Sequence, residues 1–411
     1  MRLFFIIPWP ASDPLTLATV VPHLAALSAD PRVEQIWLFS PERPVEDSIA
    51  NHHDLPSLQS LPTKVQHYPL PSLQSRLPLL SRLRHHQRWS RSLSEAAQQL
   101  KPDLIICRGT SAIHGASLQR RLNIPYVAES FEPHAEYMRQ TATWSRWDPK
   151  YLVQRRWERQ VKRSAAVLIT VSQGYARHLQ QQEGILPARL HTVPCWVDAQ
   201  RFRFDPQARS RMRQQLGIGN RLAVVYAGKF GGIYSPLHEL AMLRHLQASL
   251  GCSLHIIILT SADPEPVRWQ LLQVGFEAHQ LFVDCVPHDH VGDYLNAADL
   301  ALSFINSGPW SFACSAIKHG EYWACGLPLL MPPGVGDEAQ WLELEGAGAI
   351  ACFNDPTQVQ RAGYRLKAIL AEPGHRQRIR SIGLRLRSPE PMLSTYNHLM
   401  EKFQTPPSIP A

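Results

Sequence analysis

The sequence predicts an α/β protein of two doubly wound domains, each a parallel sheet covered by helices on both faces. Three observations predict it. Short, nearly continuous apolar runs alternate with helical segments along most of the chain, as strands buried on both faces require. That rhythm breaks around Cys195–Pro206 and restarts with a fresh apolar run at Leu222–Ala227. The 411 residues exceed what one core usually serves, so two domains of roughly 200 residues each are expected.

In chain order, Leu3–Ile7 reads as a buried strand and Leu15–Ser28 as a helix after a proline-punctuated loop, Pro8 to Pro14. Val33–Phe39 is a second strand. Between Pro41 and Pro78 the chain is rich in Pro, Ser, His and Gln, a long irregular connection with one strand at Lys64–Tyr68. A helix runs from Leu79 to Leu100, and Asp103–Cys107, Tyr126–Ala128, Val167–Thr170 and His191–Val193 are short buried strands with helical segments between them. The second half repeats the alternation: strand Leu222–Ala227, helix Leu237–Leu250, strands Leu254–Leu259, Leu281–Val283 and Asp299–Phe304, a helix within Ser315–Pro328, and a strand at Ala349–Phe353. Pro391–Phe403 is the last helix and Gln404–Ala411, with three prolines, a loose tail. The resulting domains are 1–200 and 201–388, with 389–411 a C-terminal helix that packs back on the first domain, plus the tail.

Composition narrows the class. The opening MRLFFIIPWP is too short for a membrane span and lacks a signal-peptide cleavage pattern, so a cytoplasmic protein is expected. Seven cysteines without a CxxC pair suit neither a disulfide framework nor a zinc site. The formal charge of +8 leaves an anionic substrate or surface open.

The chemistry concentrates in SAIKHGEYWACGLP, residues 315–328. Helical spacing places Lys318, Glu321 and Cys325 on one side of a short helix, with Ser315 near its start as a cap. Unpaired N–H groups, the positive dipole end and a lysine one turn in make an anion site. Glu321 is then placed to accept from neutral hydroxyls such as those of a ribose. An ordinary amphipathic helix with solvated Lys318 and Glu321 has the same spacing. Gly326-Leu327-Pro328 stops the helix and feeds the apolar run Leu329–Met331.

With HTVPCWVDAQRF at 191–202, VVYAGKFGG at 224–232, PHDHVGDYLNAADLALS at 287–303 and IKHGEYWACGLPLL at 317–330, the chain resembles the GT-B-fold glycosyltransferases of the family-4, retaining type. AAVLITVSQGY at 165–175 extends the resemblance into the first half. It implies two Rossmann-like domains facing across a cleft, an acceptor domain first and a nucleotide-sugar domain second. It also implies sugar transfer from a nucleoside-diphosphate sugar to a sugar or lipid-linked hydroxyl acceptor, in polysaccharide or glycolipid synthesis. Lys229 and Lys318 resemble the two basic residues at the donor diphosphate, in a site with no metal or other cofactor. Glu321 resembles the ribose-binding glutamate, with Ser315 and Ile317 at the helix start. The backbone near Val286–His288 resembles the nucleobase-lining segment. In the first domain His134 is the candidate for contact with the transferred sugar, and Glu129 and Glu132 for acceptor hydroxyls.

Three departures stand out. The family often carries another glutamate eight residues before the ribose-binding one, where this chain has Ala313; the loop Pro8–Pro14 lacks glycine; and the GVD triplet of the domain junction is Trp196-Val197-Asp198. A nucleotide-sugar epimerase or a catalytically impaired binding protein on the same fold is therefore the alternative.

The remaining features are charges and histidines. His52–His53, His85–His86 and His288-Asp289-His290 lack further metal ligands and are expected to be exposed; no DxD triplet occurs. Arg76, Arg82, Arg84, Arg88 and Arg91 interleave with Leu77, Leu79, Leu80, Leu83 and Trp89, and Arg155, Arg156, Arg159, Lys162 and Arg163 follow Trp144 and Trp147. Both clusters suit a peripheral anionic membrane surface or a solvated basic face. No nucleic-acid-binding module is recognised.

Overall fold

The computed structural model describes residues 1–11, 13–41, 61–71, 78–234 and 236–404. The expected residues His52, His53, Arg76 and Leu77, and the tail beyond Gln404, lie outside these. The chain divides into two compact units, Met1–Val193 with Glu390–Ala411, and Pro194–Pro389.

The first unit is built on a seven-stranded parallel sheet: β1 (Arg2–Ile6), β2 (Gln35–Pro41), β3 (Val65–Leu70), β4 (Leu104–Arg108), β5 (Tyr126–Glu129), β6 (Val167–Thr170) and β7 (Leu190–Thr192), in the order β3-β2-β1-β4-β5-β6-β7. Leu3 of β1 pairs with Ile36 on one side and Leu104 on the other. Phe4, Phe5, Ile6 and Leu104–Cys107 are fully buried, because helices cover both faces of a parallel sheet. Chain direction reverses its lateral progress between β1 and β4, so loops after these strands open at one place, the switch point where doubly wound sheets bind ligands.

The second unit repeats the plan with β8 (Leu222–Ala227), β9 (Leu254–Leu259), β10 (Leu281–Asp284), β11 (Leu300–Leu302), β12 (Leu329–Met331) and β13 (Gly348–Ile350), ordered β10-β9-β8-β11-β12-β13. Here the switch lies between β8 and β11. Two helices expected to be continuous are interrupted. The stretch at 15–28 divides into Pro14–Thr19 and Val21–Ala29, since Pro22 at the start of the second cannot continue the first. The stretch at 237–250 begins as a tighter 3-10 turn, Leu237–Ala241, before the helix Met242–Leu250.

The last helix, Glu390–Gln404, belongs to the first unit and buries Met392, Tyr396, Leu399 and Met400 along one stripe. Tyr396 reaches a charge cluster at the end of β5. Glu129 is 2% exposed; Arg108 donates to its Oε2 at 3.0 Å, and the Tyr396 hydroxyl donates to its Oε1. His23 Nδ1 lies 2.8 Å from Oε1 and 2.7 Å from the Tyr396 oxygen. Burial alone would raise the Glu129 carboxyl, but His23, Arg108 and Tyr396 outweigh it and hold it at about 2. Expected as an acceptor contact, Glu129 is enclosed by protein partners and fastens the returning helix instead.

The membrane-facing expectation is also corrected in part. On the helix Pro78–Leu100, Arg84, Arg88 and Arg91 are exposed, yet Trp89 and Leu93 are buried, and the Trp89 indole donates to the Pro71 carbonyl at 3.1 Å. The tryptophan points into the unit, where its indole N–H needs a partner. Nor is His86 exposed: its ring packs 5.0 Å from His114 and 5.0 Å from Trp157.

Removing the buried carboxylate leaves Arg108 and His23 facing each other without an anion. Glu129→Ala should therefore destabilise the first unit by about 3 kcal/mol, read as a lowered midpoint in denaturant titration. Because this carboxyl is held below its unfolded value, wild-type stability should fall as pH drops from about 4.5 towards 2. The alanine variant should lack that component; a loss under 1 kcal/mol would contradict the role assigned to the cluster.

Candidate active site

The site in the second unit is assembled from the ends of β8 and β11 and the helix between β11 and β12. β8 reads LAVVYA and is buried over its central four residues, then turns at Gly228 and Lys229. The helix runs from Ile317 to Ala324. It stops because Gly326 takes a left-handed φ of 73°, which a side chain resists, and a Cβ there would meet the Arg376 carbonyl at 2.6 Å. Tyr322, fully buried, ties this helix to β8: its hydroxyl accepts from the Ala227 N–H at 2.8 Å.

Lys318, in the helix's first turn, places its ammonium between two aromatic faces, 4.6 Å from the Tyr226 ring and 4.6 Å from the Tyr234 ring. It donates weakly to the Tyr226 hydroxyl at 3.5 Å. That hydroxyl in turn donates to the Lys229 carbonyl at 2.5 Å. Burial lowers the Lys318 ammonium to about 7, against the opposing influence of Glu321. Gly228 gives the cage room, since a Cβ there would crowd the ammonium and lie 2.7 Å from the Tyr226 hydroxyl oxygen. Lys229 is exposed on the loop that follows. Its backbone is thus linked to the Lys318 cage, while its own charge stands in solvent.

Glu321, one turn on from Lys318, is 7% exposed. Its Oε1 faces His288 Nε2 at 3.6 Å. Ile317 is the first residue of the helix, and Val286 is half-buried against the core beneath it. Ser315 does not cap the helix: the cap position is Ala316, with no side-chain bond. The Ser315 hydroxyl instead accepts from the Cys195 N–H at 3.1 Å and from Arg387. Arg387, 1% exposed, also donates to the Cys195 carbonyl at 2.8 Å and pairs with buried Glu338. The segment leading into the helix is therefore held by a buried ion pair. Ala313 is fully buried in the turn Ser311–Ala313.

In the first unit, β5 ends at Glu129 and the chain turns through Ser130, a non-glycine residue with φ of 49°, a sparsely populated conformation. Glu132 follows. Burial pushes its carboxyl up to about 7, with Arg108 opposing. His134 begins the helix His134–Gln140, its ring edge-on to Trp144 at 5.7 Å. The start of that helix is satisfied by Glu158, which accepts from the Ala135 N–H at 2.9 Å. Glu132 and His134 thus share one turn at the mouth of β5, whereas Glu129 is withdrawn from it.

A model described as Glycosyltransferase Family 4 matches residues 36–201. The fold as a whole is shared with solved structures that the chain matches over nearly its full length. Sucrose-phosphate synthase from Thermosynechococcus elongatus superposes with a TM-score of 0.73 at 14% identity, covering 98% of this chain and 99% of that one. HepE of Anabaena, solved in complex with UDP-glucose, gives 0.65 at 16% identity, covering 98% and 99%. WaaG, a glycosyltransferase involved in lipopolysaccharide biosynthesis, gives 0.65 at 14%, covering 99% and 100%. Over residues 36–201 the chain is similar to that family, and over nearly its whole length it has the fold of these structures. None of the curated proteins matches it in sequence.

Several residues around this site carried little or no sequence signal on their own. Tyr226 sits inside an apolar strand run, where a buried phenol must find a partner; that was the available hint. Tyr234, Arg201 and Arg387 gave none, since each meets its partner from a distant part of the chain.

Lys318 should titrate apart from the other lysines. In NMR of protein carrying 13C-labelled lysine, one side-chain signal should show a midpoint near 7 and vanish in Lys318→Arg. A midpoint above about 9.5, close to a free lysine, would contradict the cage.

Proposed function

We propose that the protein transfers a sugar from a nucleoside-diphosphate sugar to a hydroxyl acceptor with retention of configuration and without a metal, in polysaccharide or glycolipid synthesis. The observation that carries this is the Lys318 ammonium in the first turn of the helix at the β8–β11 switch, with Glu321 one turn behind it. The first suits a diphosphate and the second a ribose. The chain shares its fold with HepE structures in complex with UDP and with UDP-glucose, which supports the same donor class.

As the bond from the sugar's anomeric carbon to the leaving phosphate oxygen breaks, negative charge grows on the diphosphate. Lys318, and Lys229 from the neighbouring loop, stabilise that charge where a metal would otherwise act. The acceptor oxygen forms the new glycosidic bond on the same face, and its proton passes to the departing phosphate oxygen. Positioning, rather than a side-chain nucleophile, does the remaining work. His134 holds the transferred sugar, and Glu132 receives acceptor hydroxyls in place of Glu129. The proton on Lys318 links binding to pH. The free ammonium titrates near 7, so an anionic donor draws a proton onto it and binds more tightly as pH falls from about 8.5 to 6.5.

Thermal-shift measurements with UDP, GDP and ADP test the donor site: one of them should raise the melting temperature by mass action. Lys318→Ala and Glu321→Ala should each remove most of that rise, and Lys318→Arg should keep the rise but flatten its pH dependence. An unchanged rise in both alanine variants would place the anion site elsewhere. Incubation with a nucleotide sugar, with and without membrane extract, tests the reaction: acceptor-dependent consumption is expected, and conversion of the donor alone would favour the epimerase.

The acceptor is proposed to be presented at the cytoplasmic membrane face. On the helix Pro149–Ser164, Arg155, Arg156, Arg159 and Arg163 are exposed together with Leu152. Trp147, just before it, is 73% exposed with the Arg146 guanidinium over its ring at 4.8 Å. Cations around an exposed tryptophan suit an anionic interface. No described helix is long and apolar enough to cross a membrane. Wild type should float with phosphatidylserine vesicles and not with neutral ones, and Trp147→Ala with Arg155→Glu should abolish flotation. Equal flotation with both vesicle types would sink the proposal.

A further inference from the structure

The geometry points to His288 as a second side chain of the donor site that selects a ribose by one of its hydroxyls. This rests on the nucleotide-sugar reading of that site and adds a residue to it.

His288 opens the short turn His288–His290 that follows β10. Its ring is fixed from two sides. Phe202, buried, meets it edge-on with ring centroids 6.1 Å apart and planes at 74°. Arg201 brings its NH2 to Nδ1, while the same nitrogen donates to Asp289 Oδ1 at 2.7 Å. A guanidinium has only donors, so Nδ1 must accept. The ring hydrogen therefore sits on Nε2, and the tautomer is set by the bond on the far side of the ring.

Nε2 faces Glu321 Oε1 across 3.6 Å, beyond a hydrogen bond. Among the described residues the Glu321 carboxylate receives no hydrogen bond, although its side chain is only 9% exposed. A donor N–H and an acceptor carboxylate thus stand side by side without satisfying each other. A hydroxyl set between them completes both: it accepts from Nε2–H and donates to Glu321. A ribose offers that group, whereas a deoxyribose lacking it leaves a nearly buried carboxylate and an oriented N–H unpaired. Sites built around such a pair discriminate strongly against the analogue that lacks the hydroxyl. Arg201 acts through His288 as a positioning residue, since it faces Nδ1 and not the ligand side.

The test is calorimetric affinity for UDP, GDP and ADP and for their 2′-deoxy and 3′-deoxy counterparts, in wild type, His288→Phe, His288→Gln and Arg201→Met. Wild type should lose about tenfold or more with one deoxy series. His288→Phe should weaken the parent nucleotide and leave that deoxy analogue unchanged, narrowing the preference to roughly threefold. Gln, whose amide N–H reaches a similar place, should restore the preference, and Arg201→Met should give an intermediate value. The ring lies at the surface of a short turn, so matched melting temperatures will verify that each variant is folded. Wild type binding none of the three nucleotides overturns the donor reading and this inference with it. Wild type that discriminates, with His288→Phe discriminating equally well or weakening parent and deoxy forms alike, overturns the role of His288 alone.

Discussion

An ammonium drawn out of water between two tyrosine rings is the constraint around which the second unit is arranged. Among the described residues Lys318 makes no ion pair; it meets the faces of Tyr226 and Tyr234, the Tyr226 hydroxyl and the more distant charge of Glu321. Cation–π contact offsets only part of the lost hydration, which is why its affinity for the proton falls. A group left in that condition gains most from an anion, and binding energy of that kind grows as charge develops on a leaving group.

Holding the cage requires the strand end and the helix to keep their register. Tyr322 bonds the helix to the last residue of β8, and Gly228 leaves room for the ammonium. Beneath them lies a group of charges and polar atoms in which Arg387, Glu338, His319 and Ser303 are buried. Arg387 joins Ser315, the Cys195 carbonyl and Glu338, while His319, in the helix's first turn, shares a hydrogen bond of 2.7 Å with Ser303 just after β11. Burial lowers the Arg387 guanidinium to about 10, so it stays charged at neutral pH. The chain enters the unit at Pro194 and leaves it at Pro389, and both ends are fastened to the segment that starts the helix. The first unit uses the same device, with Arg108, His23 and Tyr396 converging on Glu129. In each unit a buried charge cluster sits close behind the candidate site residues at the strand ends.

Strand positions were legible because burial on both faces writes a continuous apolar run. The runs at Val167–Thr170, Leu222–Ala227 and Leu254–Leu259 coincide with strands to the residue. Lys318 and Glu321 were legible because helical spacing is local. What the sequence could not show depends on partners far along the chain. Ser315 looks like a helix cap until Cys195 and Arg387 claim its hydroxyl, and Trp89 looks like part of an amphipathic surface until the turn at Pro71 covers it. Glu129, Glu132 and His134 are nearly adjacent, yet the left-handed turn at Ser130 separates the buried carboxylate from the other two. His288 reads as one of several surface histidines, until Arg201, 87 residues earlier, and its neighbour Phe202 fix its ring.

The account stands or falls on where a diphosphate settles. A crystal structure of the protein grown with UDP answers this directly. The account predicts a phosphate oxygen about 3 Å from the Lys318 nitrogen, at the opening between Tyr226 and Tyr234, with the ribose against Glu321. A diphosphate bound at the end of another strand, with Lys318 still enclosed by its two rings, would contradict it.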